Sequence, residues 1–200
     1  LNIYLVRHGE TKENKDEKFY GDIDNGLTDY GIYQCEKLRN FLKDKKIDKV
    51  YVSEKERTIQ TAKEILCDKF NYDEIIRDSR LNERNFGAFE GKKYDELKSE
   101  YTKECDEWGK DWIGFKPPEG ESYKDMYFRV KSFFQEIIKE DDENVLIVAH
   151  SGVIRSIYCY IADDNMELFW KFASKNGDVS IIKYEYNNLF IEGIIPNNVL

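Results

Sequence analysis

The sequence predicts an α/β fold: a three-layer α/β/α sandwich around a mostly parallel central sheet, with a small cap insertion. Two apolar runs of strand length, Asn2–Val6 (NIYLV) and Asn144–Ala149 (NVLIVA), lack the polar alternation of a half-exposed strand and read as buried on both faces. Amphipathic helical stretches alternate with the strand-like segments, as a parallel sheet with crossover helices requires. Each of the two apolar runs gives way to a histidine, and these are the only two histidines in 200 residues.

After the first strand, residues 8–26 are polar and carry glycines, which suits a long functional loop. Thr28 can cap a helix running to about Lys45, with Ile32, Cys35, Leu38, Phe41 and Leu42 on one face. Val50–Val52 is a short strand. Ser53-Glu54-Lys55-Glu56 has the form of a capping box, and the helix behind it places Ile59, Ala62, Ile65 and Leu66 together. Glu74–Arg77 is a weaker strand. Residues 78–121 are charged and aromatic and are broken by Gly87, Gly91 and Pro117-Pro118; a segment this long is a lid or binding insertion, helical in parts at about 92–112. Ser122, with Asp125 as reciprocal partner, opens a helix carrying Tyr123, Met126, Val130, Phe133, Phe134 and Ile137. Val153–Ile161 is an apolar helix. Val179–Tyr186 and Leu189–Ile195 flank Asn187-Asn188 as a terminal hairpin. The expectation is one domain over residues 1–200, with the cap at about 78–121.

Lys+Arg number 31 and Asp+Glu 40, a net charge of −9, which argues against nonspecific contact with nucleic acid or an anionic membrane. The four cysteines form no CxxC pair and no zinc-ligand spacing, so no metal is expected. Cys35, Cys67 and Cys159 lie in amphipathic or apolar stretches and read as reduced core residues. No leader pattern precedes the first strand, and no apolar segment approaches the roughly 20 residues of a membrane span. The expected location is the cytoplasm, and the expected state a monomer or homodimer.

The chemistry concentrates at the strand ends, where open α/β sheets bind ligands. In Arg7-His8-Gly9, Gly9 permits a sharp turn and close backbone approach to a ligand. Arg7 offers a planar fork to phosphate oxygens, and His8 can attack phosphorus if its other ring nitrogen is held by a hydrogen bond. Taken alone, the tripeptide fits a surface loop equally well. His150-Ser151-Gly152 starts a helix, where free N–H groups and the local dipole favour anions; a protonated His150 would add charge, and Ser151 by itself reads as a plain N-cap. Arg57 lies just inside the helix after the second strand, where a solvated arginine is the simpler alternative. Glu83, in the irregular segment, could protonate a leaving oxygen.

Together these pieces resemble the histidine phosphatase superfamily, the phosphoglycerate-mutase-like branch 1 group. The matching elements are LVRHGET at 5–11, Asn14, LTDYG at 27–31, SEKERTIQTA at 53–62, LNERNFGAFEG at 81–91, PPEGES at 117–122 and AHSGVIR at 149–155, in the family's order. The resemblance implies a phosphoglycerate-mutase-like fold and a metal-independent, cofactor-free phosphomonoesterase acting on a small phosphorylated metabolite. It makes His8 the nucleophile that becomes phosphohistidine, places Arg7, Asn14, Arg57, His150 and the N–H after His150 around the phosphate, and makes Glu83 the general acid and then base. Many members carry Gly where Ser151 stands. Cofactor-dependent mutases usually carry Trp where Glu13 stands and run longer, so a phosphatase is favoured over a mutase. Within the superfamily the pattern looks most like alpha-ribazole phosphatases, while broad-specificity sugar phosphatases share much of it. A phosphate-binding module without catalysis is the non-enzymatic alternative. Substrate contacts are expected from Asn14, Tyr20, Ser151, Gly152 and Trp112, and from the loop at Asp22–Asp24. Tyr94, Tyr101, Trp108, Phe115 and Tyr123 either cover the leaving group or pack the cap.

Overall fold

The computed structural model describes residues 1–67 and 71–200. A six-stranded sheet runs through it in the order β3-β2-β4-β1-β5-β6. The strands are β1 (Asn2–Arg7), β2 (Lys49–Val52), β3 (Ile76–Arg77), β4 (Asn144–Ala149), β5 (Val179–Glu185) and β6 (Asn188–Ile195). The first four are mutually parallel; in the terminal hairpin β5 lies antiparallel beside β1 and β6 antiparallel beside β5. The two apolar runs of the sequence are thus the central pair.

Side-chain alternation along these strands builds the layers. Ile3 and Leu5 of β1 join Val145, Ile147 and Ala149 of β4 on one face, against Met126, Val130 and Phe133 of α6 (Tyr123–Ile137) and Val153, Ile154 and Ile157 of α7 (Ser151–Ile161). Tyr4, Val6, Leu146 and Val148 point the other way, onto Cys35 and Leu38 of α2 (Asp29–Leu42) and Ile59, Ala62 and Ile65 of α3 (Glu56–Leu66). The result is a three-layer α/β/α sandwich. Each fully buried aliphatic side chain contributes about 1.5–3 kcal/mol, so a strand pair buried on both faces anchors the sheet.

A third apolar cluster lies outside these layers. Phe86, Phe89, Leu97, Cys105 and Phe115 bury one another, drawing on α4 (Tyr94–Glu100) and α5 (Thr102–Lys110). Arg84 is fully buried beside it and donates to the carbonyls of Glu121 and Phe115. Phe115 and Tyr101 accordingly pack this segment rather than face a ligand.

Several local expectations need correction. The helical stretch at about 92–112 divides at Tyr101, whose backbone (φ −129, ψ 47) is not helical. Helix α2 stops at Leu42, short of Lys45. A four-residue helix, α1 (Lys12–Lys15), sits in the loop after β1, fastened by reciprocal Thr11 and Asn14 bonds. Ser53 forms no capping box: α3 begins after Lys55, which makes no side-chain cap. The hairpin turns at Tyr186 and Asn187, both with positive φ (52 and 58), and Asn188 already belongs to β6. Cys67 is half-buried at the end of α3, whereas Cys105 is buried; all four thiols are free. Ser122 and Asp125 do exchange the expected capping bonds. Among the described residues no helix is long and apolar enough to cross a membrane.

Candidate active site

Parallel pairing of β1 with β4 aligns Arg7 with Ala149, so His8 and His150 leave adjacent strands at the same level. The His8 N–H donates to the Ala149 carbonyl at 3.0 Å. The two imidazoles meet edge to face with 5.1 Å between centroids, and both are buried. They line a cavity of about 140 Å³ with Arg7, Asn14, Lys18, Phe19, Tyr20, Arg57, Glu83 and Phe86.

Hydrogen bonds fix the tautomer of each ring. His8 Nδ1 lies 2.7 Å from the Gly9 carbonyl, which can only accept. Nδ1 therefore carries the proton and Nε2 keeps its lone pair. Burial and the Arg57 and Arg7 charges hold His8 well below the ordinary histidine range, so the ring is neutral. His150 is the reverse case. Arg57 Nε donates to its Nδ1 at 3.3 Å, so its proton resides on Nε2 and is given to Ser53 Oγ at 2.8 Å. Burial, Arg57 and His8 also push His150 well below the usual value. In the free protein His150 is thus held neutral, because desolvation and a neighbouring guanidinium both oppose its charge; the protonated form expected from the sequence concerns a bound phosphoryl group.

Arg57 is fully buried and anchored by Gly21 and Ile23 carbonyls, each at 2.8 Å, with its guanidinium 4.7 Å over the Tyr20 ring. The loop supplying those carbonyls is itself clamped by Glu90, whose carboxylate accepts from the N–H groups of Gly21, Asp22, Ile23 and Phe86. Arg7 donates to the Ser174 carbonyl at 2.5 Å, and its buried Nε–H has no acceptor among the described residues. The Asn14 carbonyl oxygen accepts from Thr11, Tyr20 and Asn176, which turns its amide N–H₂ into the available donor.

Glu83 is held by two backbone donors, Gly152 N–H at 3.0 Å and Arg84 N–H at 2.9 Å. A Cβ at Gly152 would overlap Glu83 Oε1 and stand 2.9 Å from Met126 Cε, so the glycine is needed for this approach. Gly9 has a different reason from the one expected: its added Cβ would lie 2.7 Å from the Gly31 carbonyl oxygen, so it serves helix packing rather than ligand approach.

Of the residues singled out in the sequence, His8, Arg7, Arg57, His150, Glu83, Asn14 and Tyr20 converge on this pocket. Gly152 reaches it through Glu83. Ser151 is the first residue of α7, behind His150 as N-cap, and its hydroxyl is 3.5 Å from the Ser174 carbonyl. It is therefore neither the cap nor a lining residue. Trp112 does not line this pocket; it packs against Tyr123, Phe169 and Trp170. Asp22 and Asp24 engage Lys55, the Glu56 N–H and Arg57 instead of the pocket. Sequence reasoning missed Ser53, Thr58, Glu90, Lys18 and Asn176. Only Ser53 carried a signal, and it imitated a helix cap.

The profile of the histidine phosphatase superfamily (branch 1) matches residues 3–194. The chain belongs to that superfamily. It is a phosphoric monoester hydrolase acting on phosphorylated small substrates. It is 31% identical to the adenosylcobalamin/alpha-ribazole phosphatase of Escherichia coli over 91% of this chain and 89% of that protein. It is 30% identical to phosphoserine phosphatase 1 of Hydrogenobacter thermophilus over 92% and 87% of the respective chains. The crystal structure of the alpha-ribazole phosphatase from Shigella flexneri superposes with a TM-score of 0.93 at 29% identity, covering 98% of this chain and 97% of that one. Among the described residues no group of three or more His, Cys, Asp or Glu is placed to hold a metal ion.

Proposed function

We propose that this histidine phosphatase works through a phosphohistidine at His8 and that its substrate is alpha-ribazole 5′-phosphate. The observation that carries the mechanism is the convergence of a neutral His8, a neutral His150 and two arginines on one small pocket. His8 Nε2 attacks phosphorus and the P–O bond to the leaving alcohol breaks. Glu83 in its acid form gives that oxygen a proton. Water then attacks the phosphohistidine, Glu83 takes its proton, and the N–P bond breaks to release phosphate. Arg7, Arg57, the Asn14 amide and His150 surround the transferring oxygens, where fixed donors in a dry site are most effective. An arriving phosphoryl dianion favours the protonated form of His150, in which Nε2–H stays on Ser53 and the new Nδ1–H displaces the Arg57 N–H from that nitrogen.

The substrate rests on the 0.93 superposition with an alpha-ribazole phosphatase over nearly both full chains. Residues 78–121 form the cap in this reading, and the protein acts as a single domain in the cytoplasm. A second reading, phosphoserine as substrate, has the support of the 30% identical relative. Comparing kcat/KM for alpha-ribazole 5′-phosphate, phosphoserine, 3-phosphoglycerate, fructose bisphosphate and simple sugar phosphates tests both. The first should lead; a lead by phosphoserine replaces it.

A further inference from the structure

All three tryptophans of the chain, Trp108, Trp112 and Trp170, line a single cleft. Phe19, Tyr94 and Tyr123 complete its aromatic wall, and no Asp, Glu, Lys, Arg or His is among the described residues that line it. The cleft measures about 340 Å³ against about 140 Å³ for the phosphate pocket, and Phe19 lines both. The smaller cavity suits a phosphoryl group; the larger is of the size that encloses a small organic molecule. At its rim Tyr94 and Trp170 are each 52% exposed, an apolar surface left open beside a polar site.

A box of aromatic rings usually suggests a site for a quaternary ammonium, because cations favour the negative faces of such rings. The surroundings of this cleft oppose that use. Arg84 is fully buried, with its guanidinium carbon 4.1 Å from the Tyr123 centroid and 5.2 Å from that of Trp108. Arg155 lies 4.8 Å from the Trp170 centroid and is fixed by its bond to the Phe172 carbonyl. Three of the six rings already satisfy a cation, and a second cation against them would be repelled. A flat neutral ring stacks on such faces without that penalty.

We propose that this cleft is the leaving-group subsite and that it selects an uncharged planar aromatic group against an ammonium group. The proposal deepens the phosphatase reading and rests on the phosphate pocket as the place of reaction. Phe19 then stands at the junction between the phosphoryl end and the ring end of a bound ester.

Three esters of primary alcohols isolate the leaving group: a benzimidazole ribonucleoside 5′-phosphate, ribose 5-phosphate and phosphocholine. The wild-type enzyme should show kcat/KM roughly tenfold higher for the first than for the second, the scale of one base stacked on an aromatic platform. Phosphocholine should be the poorest. Trp170→Ala should collapse the ratio of the first two, and Trp170→Phe should restore most of it. The dephosphorylated nucleoside should quench tryptophan emission in wild type and His8→Ala alike, whereas choline should not. A ratio unmoved by Trp170→Ala, a preference for phosphocholine, or hydrolysis without nucleoside quenching overturns the cleft assignment and leaves the phosphatase reading standing. Quenching with no turnover of any ester supports the cleft as a ring-binding site and overturns the phosphatase reading instead.

Discussion

His8 and His150 are held 5.1 Å apart by two adjacent parallel strands, yet their protons sit on opposite nitrogens. His8 spends its Nδ1–H on the Gly9 carbonyl, and His150 spends its Nε2–H on Ser53. His8 therefore keeps its Nε2 lone pair unshared, while the Nδ1 lone pair of His150 is taken by the Arg57 N–H. This pairing leads to distinct expectations.

Both imidazoles should stay neutral well into mild acid, because burial and Arg57 disfavour their charged forms. With only two histidines in the chain, ring ¹⁵N labelling gives four nitrogen signals to follow. In the free protein neither ring should be protonated at about pH 6.5, the ordinary histidine midpoint. Titration of either ring at or above that value contradicts the electrostatics described here.

Stability should carry the same signature. The folded pKa values lie below the unfolded ones, so below about pH 6.5 the unfolded chain binds more protons. The stabilising contribution is complete above that pH and is lost as pH falls towards the depressed folded values. The slope approaches about 1.4 kcal/mol per pH unit for each imidazole. Urea melts from about pH 7 to 5.5 should show a shallower loss for a His8→Asn, His150→Asn double variant than for wild type. Equal slopes would assign the acid sensitivity to carboxylates.

Ser53→Ala should leave the Nε2–H of His150 buried without an acceptor, at a cost of about 1–3 kcal/mol. Thr58, whose hydroxyl is 2.8 Å from Ser53, loses a partner as well. Release of the ring should lower kcat by up to about 10²-fold, the scale of a misplaced catalytic group. Arg57 still donates to Nδ1, so the ¹⁵N spectrum should keep the Nε2–H form but with a shifted Nε2 signal, and Ser53→Thr should recover both readouts. An unchanged Nε2 signal together with an unchanged kcat in Ser53→Ala would remove Ser53 from the account.

Gly152→Ala should displace Glu83 and Met126, because no room exists for the added methyl group. We expect kcat to fall by about 10²-fold or more, in line with loss of a general acid. Vanadate affinity, which the proposed mechanism assigns to the arginines and His8, should change only a few-fold. A loss of vanadate binding as large as the loss of kcat would show that the substitution disrupts the phosphate pocket itself.

The sequence exposes the parts of this protein that depend on local chemistry or two-sided burial. β1 and β4 are readable because a strand covered on both faces must be apolar throughout, and their parallel pairing brings the two histidines together. Asn14 is readable through the resemblance, although its orientation comes from bonds to Thr11, Tyr20 and Asn176 that spacing alone cannot supply. Ser53 is misread because a serine just before a helix fits a cap, while its partner His150 is remote in sequence. Glu90 is invisible for a similar reason: its four N–H donors come from two loops that meet only in the fold. The break at Tyr101 is hidden because the residues on either side are ordinary helix formers, and the hairpin shifts by one residue because Tyr186, fully exposed, tolerates a positive φ.

The central claim is covalent chemistry at His8, and rapid-quench labelling with a ³²P-labelled phosphomonoester tests it directly. The account predicts an acid-labile, alkali-stable phosphoryl group on His8, formed within the first turnover and absent together with activity in His8→Ala. Turnover by His8→Ala equal to that of wild type, with no trapped phosphohistidine in either protein, would contradict it.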